Sequence, residues 1–177
     1  MNRSQLEHVI RAAATIADDD DIVVVGSQAV LAISADIPAE MLVSLEADVY
    51  PRNRPERSDL IDGSIGEGSV FHETFGYYAH GVGPETAVLP EGWSRRVVPL
   101  SNDNTRGATG WCLEVHDAVV SKLVAGRDKD FAYADAALAA GIVEPGRLRS
   151  RTAGLTADTD VIERTVSRVE RLLRSGD

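Results

Sequence analysis

The chain has 177 residues, 44% of them hydrophobic, and a formal net charge of −10, which is enough for one domain with its own apolar core and short for two. The acidic balance counts against a broad duplex-binding surface, ordinarily basic, while leaving room for a local basic groove. A single cysteine, Cys112, excludes an intrachain disulfide and a cysteine-rich zinc site; with no secretion-signal pattern at the N-terminus and no apolar run of membrane-spanning length, a cytoplasmic setting without membrane contact is expected.

Ser4-Gln5-Leu6-Glu7 reads as a capping box opening a helix whose apolar face carries Leu6, Val9, Ile10 and Ala13. The acids Asp18 to Asp21 read as a solvated turn, because adjacent carboxylates diverge and make a poor metal site. Residues 22–25 are wholly apolar and β-branched, which predicts a buried strand broken by Gly26-Ser27. Residues 28–34 have helical character, and Pro38 prevents continuation. Residues 42–50 then alternate: Leu45, Ala47 and Val49 share one face, Ser44, Glu46, Asp48 and Tyr50 the other, and Pro51 ends the strand.

A helix is expected over 55–65, with Arg57, Asp59 and Asp62 outside. Gly63, Gly66 and Gly68 follow no strand and read as loop, not as a dinucleotide-binding turn. Residues 71–82 are aromatic and read as extended, and Gly83-Pro84 and Pro90-Glu91-Gly92 as turns. Strands are expected at 95–100 and 108–113, joined by a polar turn over 101–107. The remainder reads as helical: 115–125 closed by Gly126, 130–140 closed by Gly141, a short helix opened by Pro145, and a last helix capped by Asp158. That last helix bears a stripe of Val161, Ile162, Val166, Val169 and Leu172, suited to internal packing or to a dimer. No repeat or low-complexity linker interrupts the chain, so one domain is expected over 1–177, with a mixed α/β core in 1–114 and a helical part in 115–177.

Glu46 and Asp48 lie two apart on a predicted strand, so both carboxylates leave one face, where two hard oxygens can hold Mg²⁺ or Mn²⁺ against a triphosphate. By itself such a pair is equally an exposed strand face. Its setting is more particular: an apolar strand ends in Gly26-Ser27, a helix follows, and the next strand bears the acids. Gly26 lets backbone approach a phosphate, and Ser27 with the helix N-terminus supplies donors. An ordinary βαβ turn is the competing reading.

Val25-Gly26-Ser27-Gln28-Ala29 followed by Glu46-Ala47-Asp48-Val49-Tyr50 resembles the Gly-Ser and acidic-pair motifs of the nucleotidyltransferase superfamily. More closely, the chain looks like bacterial nucleotidyltransferase-like proteins related to the AbiEii and MenT toxins. Three further stretches carry that likeness: Phe71-His72-Glu73-Thr74-Phe75-Gly76-Tyr77-Tyr78, Leu89-Pro90-Glu91-Gly92-Trp93, and His116-Asp117 through Lys122 to Arg127-Asp128-Lys129-Asp130. The resemblance covers roughly residues 20–145. It implies an α/β nucleotidyltransferase-type fold: a mixed β-sheet with flanking helices and a C-terminal helical region. It implies transfer of a nucleoside monophosphate from an NTP to an acceptor hydroxyl. The tRNA 3′ end, a protein hydroxyl and a small molecule are acceptor candidates, and a cognate antitoxin is the implied partner.

The resemblance further implies that Asp48 and Glu46 hold Mg²⁺ (or Mn²⁺), that Gly26 and Ser27 contact the nucleotide phosphates, and that Lys122 meets the triphosphate. Asp130 would orient the site, with Arg127 and Lys129 as further phosphate contacts. The competing readings are a solvated helical lysine for Lys122 and a helix N-cap for Asp130. Many polymerase-like members carry a third carboxylate on a later strand; here the well-placed candidate is Glu114, which is equally a strand end. Without a third carboxylate, a non-catalytic nucleotide-binding or protein-interaction module of the same fold is the alternative function.

His72, His80 and His116 show no metal-ligand spacing; His116 and Asp117 read as a helix entry and its N-cap. Cys112, in an apolar strand, reads as inert core. Trp93, in a Pro/Gly loop, reads as loop packing, with base stacking as the alternative. The positive charge is almost all arginine, Lys122 and Lys129 being the only lysines, a bias that high-GC coding also produces.

Overall fold

Asn2, two residues before the expected cap, opens α1 (Arg3–Ala17): its side chain accepts from Gln5 N at 3.0 Å, and Gln5 Oε1 accepts from Asn2 N at 2.8 Å. Glu7 is thereby free of capping; it is buried and accepts from the side chains of Asn102 and Asn104 at 2.8 Å each. Leu6, Val9, Ile10 and Ala13 are fully buried, as the helical spacing requires. The acidic run after the helix is only partly solvated. Asp19 is buried and accepts from the backbone N–H groups of Asp21, Asn53 and Arg54 and from the Asn53 amide. Burial pushes its carboxyl up, but these bonds together hold it below the ordinary value.

The computed structural model describes residues 1–33 and 37–175. β1 (Asp21–Val25) leads through a 3₁₀ turn, Ser27–Ala32, to β2 (Glu46–Pro51). The helix expected over 28–34 is thus a shorter 3₁₀ turn, its last residue Ser34 lying outside the described residues, and residues 42–45 precede β2 without joining it. A 3₁₀ turn at Pro55–Arg57 enters α2 (Ser58–Ile65), which contains Gly63 instead of leaving it in a loop. Residues 71–82 are not one extended stretch. They divide into α3 (Val70–Phe75), capped by Ser69 and ended by left-handed Gly76, and β3 (Tyr78–Gly81). β4 keeps only Val98–Leu100 of the strand expected at 95–100, because Trp93–Arg95 form a 3₁₀ turn; β5 is Thr109–Cys112.

These strands make one mixed sheet in the order β3-β2-β1-β5-β4. β1 is antiparallel to β2 and parallel to β5, β2 is parallel to β3, and β4 is antiparallel to β5. The antiparallel β1/β2 pairing excludes the βαβ reading, which needs parallel strands. Ile22, Val24, Ala47, Val49, Ala79 and Cys112 share the face toward α1 and α2, and all are fully buried. Gly110 lies on that face too, where a Cβ would collide with Ile10. The opposite face carries Val23, Val25, Glu46, Asp48, Tyr50, Tyr78, His80 and Trp111.

α4 (Val115–Ala125), α5 (Asp128–Ala139), α6 (Pro145–Ala153) and α7 (Thr159–Ser175) gather a second apolar cluster, into which Val30 and Met41 reach. In α7 the buried stripe runs through Thr165, Val169, Leu172 and Leu173, and Val166 is left 41% exposed. Asp117 does not cap α4. Glu114 does, and Asp117, three residues in, is wholly buried against Arg96 (2.8 and 2.9 Å) and Arg151 (3.4 Å). That ion cluster anchors residues 84–97, which cross the second face of the sheet, to the helical part. Glu91 N adds a bond to Gly154 O at 2.7 Å and Pro90 a bridge to Leu155. No helix among the described residues is long and apolar enough to cross a membrane.

Candidate active site

β1 ends on Gly26, at φ 73° and ψ −162°, a region of backbone space essentially closed to side chains. The antiparallel register sets Asp48 beside Val25, and a Cβ on Gly26 would collide with Asp48 Oδ2. Turn and carboxylate are therefore in contact, and only glycine permits both. Gly26→Ala is expected to cost about 1–3 kcal/mol of stability from the strained backbone alone, measured by urea unfolding; an unchanged midpoint would show that the turn relaxes without loss. Ser27 opens the 3₁₀ turn with its hydroxyl 3.4 Å from Gln28 Nε2. Six residues of 3₁₀ turn offer less dipole than the helix expected there.

The parallel pairing of β2 with β3 brings Tyr78 beside Glu46 and His80 beside Asp48. Tyr78 donates to Glu46 Oε2 at 3.1 Å, and His80 Nδ1 lies 3.2 Å from Asp48 Oδ1. Burial, then the nearby Glu46 charge, pushes the Asp48 carboxyl above its ordinary value, against the opposing pull of His80 and Lys122. Burial and the Glu46 carboxylate push the Tyr78 phenol up to about 12. The sequence reading sets His80 aside for want of metal-ligand spacing and gives Tyr78 no role in the site. Their two-residue spacing is the face signal of a strand, but it is legible only once β3 is separated from α3.

Cations form the other wall. Lys122, on α4, is 12% exposed; its Nζ lies 3.3 Å from Asp130 Oδ1 and 4.7 Å from the centroid of the Tyr133 ring. Tyr133 in turn donates to Ser27 O at 3.3 Å. Asp130, fully buried at the start of α5, accepts from Arg127 N (3.2 Å), Nε (2.7 Å) and Nη2 (3.2 Å). Lys122 is thus not a solvated helical lysine, while Asp130 helps cap its own helix and grips Lys122 with the same carboxylate. Burial pushes the Lys122 ammonium down from its ordinary value, and Asp130 opposes the shift. Burial works to raise the Asp130 carboxyl, but Arg127 and Lys122 outweigh it and hold it low.

Between the walls lies a cleft of about 210 Å³ lined by Gly26, Asp48, Thr86, Ser121, Lys122 and Arg127, with apolar neighbours. A family model described as nucleotidyltransferase of unknown function (DUF6036) matches residues 4–168. The chain belongs to this nucleotidyltransferase family. No curated protein and no solved structure matches it.

Of the residues singled out in the sequence of this family member, Gly26, Asp48, Lys122 and Arg127 meet in the cleft. Glu46 stands one step along β2 from Asp48, and Asp130 lies behind Lys122. Three do not join them. Ser27, next to Gly26, is not among the residues lining the cleft, and its hydroxyl lies beside the Gln28 amide. Lys129 is exposed on the first turn of α5, outside the cleft lining. Glu114 is turned toward its own helix: Oε2 accepts from His116 N at 3.2 Å, and Oε1 lies 2.6 Å from His116 Nδ1. Glu144 N donates to His116 Nε2 at 2.9 Å, so the ring proton sits on Nδ1 and points at Glu114. Among the described residues, no group of three or more His, Cys, Asp or Glu side chains is placed to hold a metal. The donor set available is the Asp48 and Glu46 pair. That fits Mg²⁺, which is commonly held by one or two carboxylates with substrate phosphates and waters completing the shell.

Proposed function

We propose that this member of the nucleotidyltransferase family transfers a nucleoside monophosphate from an NTP to an acceptor hydroxyl. The acceptor hydroxyl gives up its proton to solvent as its oxygen bonds to the α-phosphorus, the bond to the α,β-bridging oxygen breaks, and pyrophosphate leaves. The observation that carries this reading is the meeting, across one cleft, of the Asp48 carboxylate with the cations Lys122 and Arg127. Mg²⁺ or Mn²⁺ held by Glu46 and Asp48 would neutralise charge on the phosphoryl group. Lys122, confined between Asp130 and the Tyr133 ring, presents a fixed positive charge to the phosphates, so little reorganisation accompanies the reaction. Arg127 adds a fork of donors at the mouth. His80 and Tyr78 orient the two carboxylates, and Gly26 leaves backbone open to close approach.

In the same proposal, residues 1–177 act as one domain. A tRNA 3′ end as acceptor, and restraint by an antitoxin, follow from the resemblance to the AbiEii and MenT toxins; the net charge of −10 favours a narrow contact with such an acceptor over a broad one. One observation favours a second reading. With Glu114 engaged by His116, the site offers two carboxylates, which suits a nucleotide-binding module without turnover.

The test incubates the protein with Mg²⁺, each α-phosphate-labelled NTP in turn, and total tRNA, with Asp48→Asn as the blank. Label in tRNA from wild type alone supports transfer and identifies the base. Label in the protein itself redirects the acceptor to a protein hydroxyl. No transfer with Mg²⁺-dependent NTP binding intact selects the binding module, and loss of both removes the site assignment.

A further inference from the structure

The face of the sheet that carries Asp48 holds a second cavity, which the transfer chemistry leaves unused. Tyr50 follows Asp48 on β2, and β1 and β5 set Val23 and Trp111 beside it in register. At about 3.4 Å per residue, Tyr50 lies roughly 7 Å along the strand from Asp48. Pro84 and Trp93, from the segment crossing this face, complete a cavity of about 270 Å³ with Arg52 in its wall. The same segment serves both cavities, since Thr86 and its neighbours line the cleft at Asp48.

The lining has a definite chemistry. Trp111 Nε1 donates to Asp21 Oδ1 at 2.7 Å, which fixes the indole and leaves its ring edge and the face not covered by Arg52 as what it offers. The Arg52 guanidinium lies 4.6 Å from the centroid of the Trp111 ring. Val23 and Tyr50 form a buried floor, Trp93 and Trp111 are half-buried walls, and Arg52 is exposed. Two indoles, a phenol ring and a planar cation select a flat, electron-rich ring, which they hold by stacking and by contact with the guanidinium plane. Nucleobases meet that description, and stacking one on an aromatic side chain is worth about 1–3 kcal/mol. The cavity is also contiguous, along one sheet face, with the carboxylates proposed to act on a nucleotide.

We infer that this cavity is a nucleobase subsite, seating the base of a nucleotide that reaches toward Asp48. Its service to transfer rests on the function proposed above; base binding rests on the cavity alone. The base belongs either to the NTP or to the end of an acceptor strand.

Trp93 and Trp111 are the only two tryptophans of the chain and both line this cavity, so indole emission reports on it directly. The experiment titrates the full-length protein with adenosine, guanosine, cytidine and uridine, then with the Mg²⁺ NTPs, then with a short oligoribonucleotide lacking a triphosphate. Saturable quenching by at least one nucleoside is expected. Trp93→Ala should weaken it by about 5- to 100-fold, in line with the loss of one stacking partner, and Arg52→Ala should weaken it further than a charge-preserving Arg52→Lys. Asp48→Asn should leave nucleoside quenching unchanged. Stronger quenching by an NTP than by its nucleoside, with the gain lost in Asp48→Asn, assigns the subsite to the NTP base; stronger quenching by the oligonucleotide assigns it to the acceptor. Unchanged emission, or quenching that is linear and unaffected by Trp93→Ala, overturns the subsite, and Mg²⁺-dependent NTP binding measured by equilibrium dialysis then shows whether the transfer site survives. Quenching that persists in a protein without transfer activity supports the subsite and removes only its proposed service to transfer.

Discussion

Asp48→Asn is expected to reduce transfer by about 10³-fold or more, some 4 kcal/mol of transition-state stabilisation, and at the same time to raise the melting temperature. The first effect follows from losing a negative oxygen at the place where a divalent cation and the α-phosphate would meet. The second follows from the direction of its pKa shift. Burial and the neighbouring Glu46 lift the carboxyl above its ordinary value of 3.8, so the folded state binds the proton more tightly than the unfolded chain does. Stability is therefore lost as pH rises from the unfolded value through the folded one, and at neutral pH the folded protein carries that cost in full. Asparagine keeps the shape and the contact with His80 and removes the charge. The gain should be about 0.5–1.5 kcal/mol, a rise of roughly 2–5 °C in metal-free buffer, shrinking to nothing as pH falls into the ordinary carboxylate range. A transfer rate within tenfold of wild type would remove Asp48 from the centre of the mechanism. A lower melting temperature at neutral pH would show that the His80 and Lys122 contacts outweigh burial.

Asp117→Ala should do the reverse, leaving the cleft residues in place and weakening the fold. Asp117 has no exposed surface and balances two guanidinium groups, Arg96 and Arg151, whose side chains are 21% and 25% exposed. Removing one partner of a buried ion pair costs about 3–5 kcal/mol because a charge is left without compensation. Here partial exposure lets the arginines turn to water, so a loss of about 2–4 kcal/mol is expected, on the order of 5–15 °C in melting temperature. Calorimetry measures it. A change within about 2 °C would mean that both arginines find other partners.

The elements legible in the sequence are those whose signal is local. The apolar run of β1, the alternation that puts Glu46 and Asp48 on one face, and the helix closed by Gly126 each declare themselves within a dozen residues. α3 escaped because six residues make fewer than two turns, too few for a helical period to stand out against its aromatic composition. Ser4 has the type and spacing of a capping box, and only the reciprocal bond between Asn2 and Gln5 shows that the cap lies two residues earlier. Within the candidate site, the meeting of Gly26, Asp48 and Lys122 follows motif order, but His80 reaches Asp48 through a strand register spanning 32 residues, which composition does not encode. Glu114 shows the complementary case. Its place after β5 was read correctly, yet a carboxylate one residue before a helix is drawn to that helix's free N–H groups and to His116.

Asp130 does two jobs with one carboxylate, closing the first turn of α5 and holding Lys122, whereas the Glu46 and Asp48 carboxylates take their hydrogen bonds, among the described residues, from half-exposed Tyr78 and His80 on the neighbouring strand. The two classes of residue therefore face different selection. A lineage that abandoned the proposed chemistry would be expected to keep Asp130 for its cap and its ion pairs, while its acidic pair would be free to drift. On the proposed transfer function, substitution at Glu46 and Asp48 is the change expected in a family member that has lost the chemistry, whereas an intact Asp130 would say nothing either way.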